Sequence, residues 1–286
     1  MPDAMSATIL DGRALAVELR AGLSTRTAAL AERGVRARLM VALVGEDPSS
    51  HAYVRGIEKL GAAIGVAVDV DRLPTTIDDA GMRIALAGYA RDANIHGVIV
   101  QQPLPLPLSI RRIADAIPPD KDVDGGNPIN QGRLAFGTGT RFVPATPQAV
   151  MLLLERSAKW PLRGRTVTVI GRSSVVGLPV SLLLVAADAT VTIVHSKTSD
   201  IRAHARRAEV LVVAVGTPGL VDADWIAPGA TVIDVGTTVI DGTLRGDVDF
   251  ESVAAVAAEI TPVPGGVGPV TNIALMRNVV AAAESA

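Results

Sequence analysis

Short runs of β-branched and aliphatic residues alternate along the chain with stretches whose apolar positions recur at helical spacing. Leu15, Val17, Leu19, Leu23 and Leu30 stand among polar positions, which predicts a helix over 11–33 with Gly34 as its stop. Residues 37–44 read as a buried strand, 51–64 as a helix capped by Ser49 or Ser50, and 66–73 as a second strand. A helix over about 77–91 and a strand at 97–100 follow, and Pro103, Pro105 and Pro107 forbid the strand's continuation. The second half repeats the alternation, with a helix at 148–157 and strands at 166–170, 189–194, 210–215 and 230–235. A terminal helix spans 271–284. Strands separated by helices imply βαβ units and parallel sheets, so the fold class is α/β.

The main boundary falls where Gly137, Gly139, Pro144 and Pro147 crowd the chain ahead of the second sheet. The expected domains are 1–147 and 148–270, with the terminal helix 271–286 docking back on the first. A chain of 286 residues with 49% hydrophobic content is long enough for two such cores. Only 2% of residues are aromatic, so both cores must be built from Val, Leu, Ile and Ala. Tyr89 and the two tryptophans read as packing residues.

The net charge of −2 offers no basic field for nucleic acid or an anionic membrane. Cysteine is absent, which excludes disulfides and thiolate metal sites and fits a reducing compartment. With no basic, apolar leader at the N-terminus, a cytoplasmic location is expected. His96 and His204 lack metal-ligand spacing with carboxylates, so no metal site is expected. His51 reads as a partly exposed helix histidine.

The strand at 166–170 ends in Gly171-Arg-Ser-Ser-Val-Val-Gly177 and continues as a helix. Gly171 permits a sharp bend, Gly177 a close approach of helix to sheet, and the amides between them form a seat for a pyrophosphate. Ser173 stands where the middle glycine of the dinucleotide fingerprint is expected, and similar turns also occur in sheets that bind nothing. The next strand points to the nucleotide. It ends in His195-Ser196-Lys197-Thr198 with no carboxylate to hold a ribose 2′-hydroxyl, and Arg172 in the glycine turn can approach the same corner. A guanidinium with hydroxyls suits a 2′-phosphate, so the cofactor expected is NADP.

Six stretches resemble one family. They are Val44-Gly-Glu-Asp-Pro-Ser-Ser-His-Ala-Tyr53-Val, Val100-Gln-Gln-Pro-Leu-Pro105, Asp120-Lys-Asp-Val-Asp-Gly125, Gly171-Arg-Ser173, His195-Ser-Lys-Thr198 and Pro262-Val-Pro-Gly-Gly-Val-Gly-Pro269. In this order they resemble the bifunctional methylenetetrahydrofolate dehydrogenase/methenyltetrahydrofolate cyclohydrolases of one-carbon metabolism. The resemblance implies two α/β domains facing across a cleft, the second a Rossmann-type doubly wound parallel sheet. It also implies a homodimer that binds tetrahydrofolate one-carbon derivatives beside NADP. By similarity Tyr53 stacks on the folate, Asp124 bonds the pterin, Gln101 supports a catalytic lysine, and Pro264, Gly265 and Gly266 border the substrate. Asp120 and Asp122 brace their loop. Gly171, Arg172, Ser173 and Ser196 hold the cofactor, with Thr237 near its nicotinamide. An aliphatic residue is commoner at that last position.

The chief departure is the lysine itself. The family's run is Tyr-Val-x-x-Lys, and here Tyr53-Val-Arg-Gly-Ile57 puts isoleucine at that place. At about 100° per residue, Ile57 lies about 40° from Tyr53 around the helix, whereas Arg55 and Lys59 lie about 160° and 120° away. Hydride loss from the methylene carbon needs no protein base, but hydrolysis needs proton transfer. The expectation is a dehydrogenase whose cyclohydrolase is weak or lost. The alternatives are a bifunctional enzyme using a substitute group, or a paralogue that binds both ligands without turnover.

Overall fold

The computed structural model describes residues 7–139 and 141–286. Strand β1 (Thr8–Ile9) and helix α1 (Gly12–Glu32) open the chain. Strands β2 (Arg38–Val44), β3 (Ala67–Leu73) and β4 (Gly97–Val100) enclose α2 (Pro48–Ile64) and α3 (Asp79–Arg91) between them in sequence. Short α4 (Ile110–Ile113) and α5 (Pro128–Phe136) follow. Then come α6 (Ala145–Leu154), β5 (Thr166–Ile170), α7 (Gly177–Ala186), β6 (Thr190–Val194), α8 (Ile201–Ala205), β7 (Val210–Val213) and β8 (Thr231–Asp234). A hairpin of β9 (Thr238–Ile240) and β10 (Thr243–Arg245), helix α9 (Phe250–Ala254), β11 (Glu259–Ile260) and α10 (Val267–Glu284) complete the chain.

The chain forms two compact units, one of residues 1–17 with 146–271 and one of 18–145 with 272–286. The second unit is built on a parallel sheet of order β3-β2-β4, with Val41 level with Val70 on one side and Ile99 on the other. Ala42, Val44, Val98 and Val100 pack there against Met82 and Leu86 of α3 and Ile113 of α4. Helix α2 starts where Pro48 supplies the first helical residue and Asp47 accepts the Ser50 amide at 2.8 Å. The cap is therefore Asp47; the serines expected in that role lie inside the first turn. Helix α10 is tied to this unit by Asn278, whose amide donates to Val123 O and Val143 O at 2.8 and 2.9 Å.

The other unit carries a six-stranded parallel sheet of order β1-β11-β8-β7-β5-β6. From β5 the chain steps one way to β6, then crosses back over β5 to β7 and continues to β8 and β11. Parallel strands joined by helical crossovers that leave β5 in opposite directions are the Rossmann-type doubly wound arrangement. Strand order reverses between β5 and β7, so the topological switch point lies there. Residues 167–170, 210–213 and 231–234 are buried throughout, as the unbroken apolar runs demand. Trp225 joins that core, while Trp160 is exposed. Strand β1 pairs with β11, Thr8 against Glu259, a contact that local periodicity did not reveal.

Candidate functional site

On α2 the buried stripe is Ser50, Val54, Ile57, Gly61 and Ile64, and Ile57 is 0% exposed. Tyr53 sits half-buried beside that stripe, whereas Arg55 and Lys59 are exposed. Burial, and then the nearby charge of Asp124, push the Tyr53 phenol well above its usual range. Tyr53 and Asp124 therefore lie within each other's field. Asp124 itself is pushed up to about 7, chiefly by burial and then by the like charge of Asp122, against the Ala145 amide that favours its ionised form. Asp122 is 3% exposed and accepts from the Gly126 and Asn127 amides and from Asn130 Nδ2 at 2.8–3.0 Å. Even so, burial raises it to about 6. Asp122 thus braces the turn, while Asp120 is exposed.

Gln101 follows β4 and is 9% exposed. Its backbone amide extends the ladder to Ala42 O at 2.9 Å, and its side-chain Nε2 donates to Gln102 O at 2.6 Å. His51 faces away from Tyr53 in the helical count, and its Nε2 lies 3.0 Å from Glu46. His96 accepts the Arg38 amide at Nδ1, and burial, with Lys121 and Arg38 nearby, lowers its pKa. No cluster of His, Cys, Asp and Glu among the described residues can hold a metal ion.

In the other unit, Gly171 ends β5 at φ 120°, and a Cβ there would stand 2.2 Å from Ala214 O. A Cβ on Gly177 would meet Gly171 O at 2.3 Å, so α7 closes on the strand end only because both are glycine. Ser173 uses its hydroxyl to accept the amides of Val176 and Gly177 at 3.1 and 3.3 Å. It thereby ties the turn into α7 and narrows the anion seat to the amides before Val176. Arg172, Ser196 and Lys197 are exposed. The 195–198 turn is ordered by His195 N donating to Thr198 Oγ1 at 3.0 Å and Thr198 N to His195 O at 2.7 Å. Asp200, the nearest following carboxylate, caps α8 by accepting the Ala203 amide.

Thr237 is exposed beyond β8, ahead of the β9–β10 hairpin. Pro264 is exposed and Gly265 and Gly266 are buried, with Gly265 O accepting from the Arg13 amide at 3.1 Å. A Cβ on Gly12 would stand 1.8 Å from Gly266 O, so the start of α1 seats directly on this turn. A buried pair, Asp234 and Asp247, also lies at the ends of β8 and β10 and had no signal in the sequence beyond two acidic residues near glycines.

Two family models match the chain. The tetrahydrofolate dehydrogenase/cyclohydrolase catalytic domain covers residues 10–124, and the NAD(P)-binding domain of the same enzymes covers 144–286. The chain belongs to the tetrahydrofolate dehydrogenase/cyclohydrolase family. It is 48% identical over 283 residues to the bifunctional protein FolD of Burkholderia thailandensis, covering 99% of each chain. The crystal structure of the bifunctional FolD enzyme of Campylobacter jejuni superposes with a TM-score of 0.94 at 37% identity, covering 98% of this chain and 99% of that one. The Trypanosoma brucei dehydrogenase-cyclohydrolase, solved with NADP cofactor and inhibitor, gives 0.93 at 38% identity over 100% and 99%. Within this dehydrogenase/cyclohydrolase family member, Ile57 occupies the fully buried stripe of α2 one turn after Tyr53.

Proposed function

We propose that the chain is an NADP-dependent 5,10-methylenetetrahydrofolate dehydrogenase whose methenyl product is hydrolysed weakly or not at all. The observation that carries this is Ile57, an aliphatic side chain 0% exposed on the Tyr53 side of α2. NADP fits the donors present: a glycine turn at a helix start, Arg172, Ser196 and Lys197, with the following Asp200 already engaged in capping α8. When bound, it would supply the acceptor for the hydride of the methylene carbon.

The chain's own residues orient that transfer. The folate nitrogen lone pair drives hydride loss and leaves a delocalised cation, so positioning is the principal demand on the protein. Tyr53 offers its ring to the pterin, and Asp124, when ionised, accepts from pterin N–H groups. Gly171, Arg172 and Ser173 would hold the pyrophosphate side of the cofactor and Ser196 its 2′-phosphate, with Thr237 on the nicotinamide side. Pro264, Gly265 and Gly266 form a turn with little side-chain bulk for the substrate to lie against. Hydrolysis differs, because water must be deprotonated as it adds and a nitrogen protonated as the ring opens. Ile57 does neither, Lys59 is exposed, and His51 projects away from Tyr53 around α2.

One observation favours a second reading in which both activities persist. Asp124, at about 7, is half-protonated near neutrality and could exchange a proton at the folate. One assay separates the two. Purified protein given 5,10-methylenetetrahydrofolate and NADP should accumulate the methenyl compound. Formation of 10-formyltetrahydrofolate at the dehydrogenase rate would establish the second reading instead. A homodimer belongs to the same proposal, and edge strand β6 with its neighbour α7 leaves Ile193, Leu178 and Val185 exposed for such a contact.

A further inference from the structure

Two carboxylates are buried at the carboxyl ends of the strands in the nucleotide-type sheet. Asp234, 3% exposed, accepts the amides of Gly236, Asp247 and Val248 at 2.9–3.0 Å. Asp247, 0% exposed, accepts the amides of Val215 and Gly216 through Oδ2 at 2.7 and 2.9 Å. Its Oδ1 is buried and finds no hydrogen-bond partner among the described residues. Glu259, also buried in this unit, behaves otherwise: it takes the hydroxyls of Ser157 and Thr231 and the Ala158 amide, using both oxygens. The backbone closes tightly on the aspartate pair, since a Cβ on Gly236 would stand 2.2 Å from Asp247 Cγ.

The turn that Asp247 holds is exposed at Val215, Gly216 and Thr217. Water could satisfy amides there, so a fully buried carboxylate is not needed merely to pair them. What it supplies is a fixed position. The same turn begins at Ala214, whose carbonyl lies against Gly171 and whose amide donates to Ile170 O at 2.9 Å. It therefore forms one wall of the crevice at the β5/β7 switch point, where ligands of open parallel sheets bind. A second tie runs the same way, Gly219 N to Gly246 O and Val221 N to Asp247 O, both at 3.1 Å.

We propose that Asp247 is a positioning residue for the dinucleotide, holding the Val215–Thr217 wall of the switch-point crevice from beneath. The proposal rests on the NADP reading above. Asp247→Ala removes the acceptor. Asp247→Asn keeps an oxygen for the two amides and replaces the unpaired Oδ1 with a donor beside Asp234. Gly216→Ala leaves both carboxylates untouched, and its Cβ would meet nothing within 4 Å, but φ +69° strains the turn.

The measurements are NADP affinity by fluorescence titration, KM for NADP and for the folate, kcat at saturating NADP, and melting temperature. Asp247→Ala should raise Kd and KM for NADP at least ~10-fold, with folate KM within ~2-fold and kcat retained, and Asp247→Asn should recover most of that loss. Gly216→Ala should weaken NADP several-fold. A folded Asp247→Ala protein with wild-type NADP affinity overturns the proposal, as does a loss shared equally by folate and NADP. Should Asp247→Ala fail to fold, Gly216→Ala decides, and unchanged NADP affinity there overturns it. Absence of NADP binding by the wild type would instead overturn the cofactor reading.

Discussion

Replacing Ile57 by lysine puts an amine one helical turn from Tyr53, about 6 Å along the axis and about 40° around it. The site is fully buried, so an unpaired ammonium there would be strongly destabilising, by about 3–5 kcal/mol. The partner it would need is Asp124, which acts on Tyr53 through its charge and is pushed up to about 7 by burial and then by Asp122. An ammonium about 4 Å from it would gain about 4 kcal/mol at an effective dielectric constant of about 20. The two effects nearly offset, and most of the isoleucine's apolar contact is kept by the lysine stem. The expected net loss is ~1–3 kcal/mol, read as a fall of ~2–4 °C in Tm per kcal/mol. Asp124 should titrate lower in the same variant.

Hydrolysis of added methenyltetrahydrofolate, followed above its uncatalysed rate, should rise toward the ~10²–10⁴-fold of a positioned acid–base group. The gain is expected to be partial, because Gln101 Nε2 now donates to Gln102 O and must turn to hold the amine. Two results would refute the argument. One is a wild-type hydrolysis rate equal to dehydrogenation and unchanged in Lys59→Met. The other is a folded Ile57→Lys protein with a lowered Asp124 pKa and no faster hydrolysis.

Asp124→Ala should cost folate binding ~1–3 kcal/mol, about 5–150-fold, while NADP affinity stays near wild type; titration of each ligand checks this. Asp124 titrates at about 7 in the fold but near 3.9 unfolded, so the folded chain holds the extra proton between those values. Its contribution to stability therefore falls as pH rises from about 4 to 7, and Asp124→Asn should be stabilised relative to wild type more at pH ~8 than at pH ~5 in urea melts. Folate KM should improve over the same rise, since the pterin donors need the carboxylate; the opposite trend would remove Asp124 from the site. Arg172→Ala should raise KM for NADP ~10–100-fold and that for NAD far less, since a hydrogen bond to a charged group contributes ~1.5–3 kcal/mol. Equal effects on both cofactors would place the 2′-phosphate elsewhere.

Much of this protein could be read from neighbours along the chain. Unbroken apolar runs announced the strands, because a parallel strand buried on both faces has no polar face to show. The glycine turn after β5 was equally local, since Gly171 and Gly177 serve backbone approaches within a few residues of each other. Ile57 stood out through the family resemblance, and helix geometry then showed that neither Arg55 nor Lys59 shares the Tyr53 side. The cap of α2 was misplaced by two or three residues, as Asp47, Ser49 and Ser50 offer the same chemistry and only the backbone path selects Asp47.

Contacts between distant segments were of another kind. Nothing near Thr8 signals a strand, because two residues become one only when β11 offers its edge across some 250 positions. Ser173 looked like a missing glycine and proved to hold the Val176 and Gly177 amides of the turn into α7, an outcome set by where its hydroxyl points once the turn has closed. The pKa values of Asp124 and Asp234 follow from desolvation, which is a property of the surrounding atoms and has no signature in the order of residues. Asp247 is the clearest case. In the chain it is one acid in Gly-Asp-Val-Asp, and only folding brings it beneath Val215, more than thirty residues away, where its carboxylate holds the wall of a crevice.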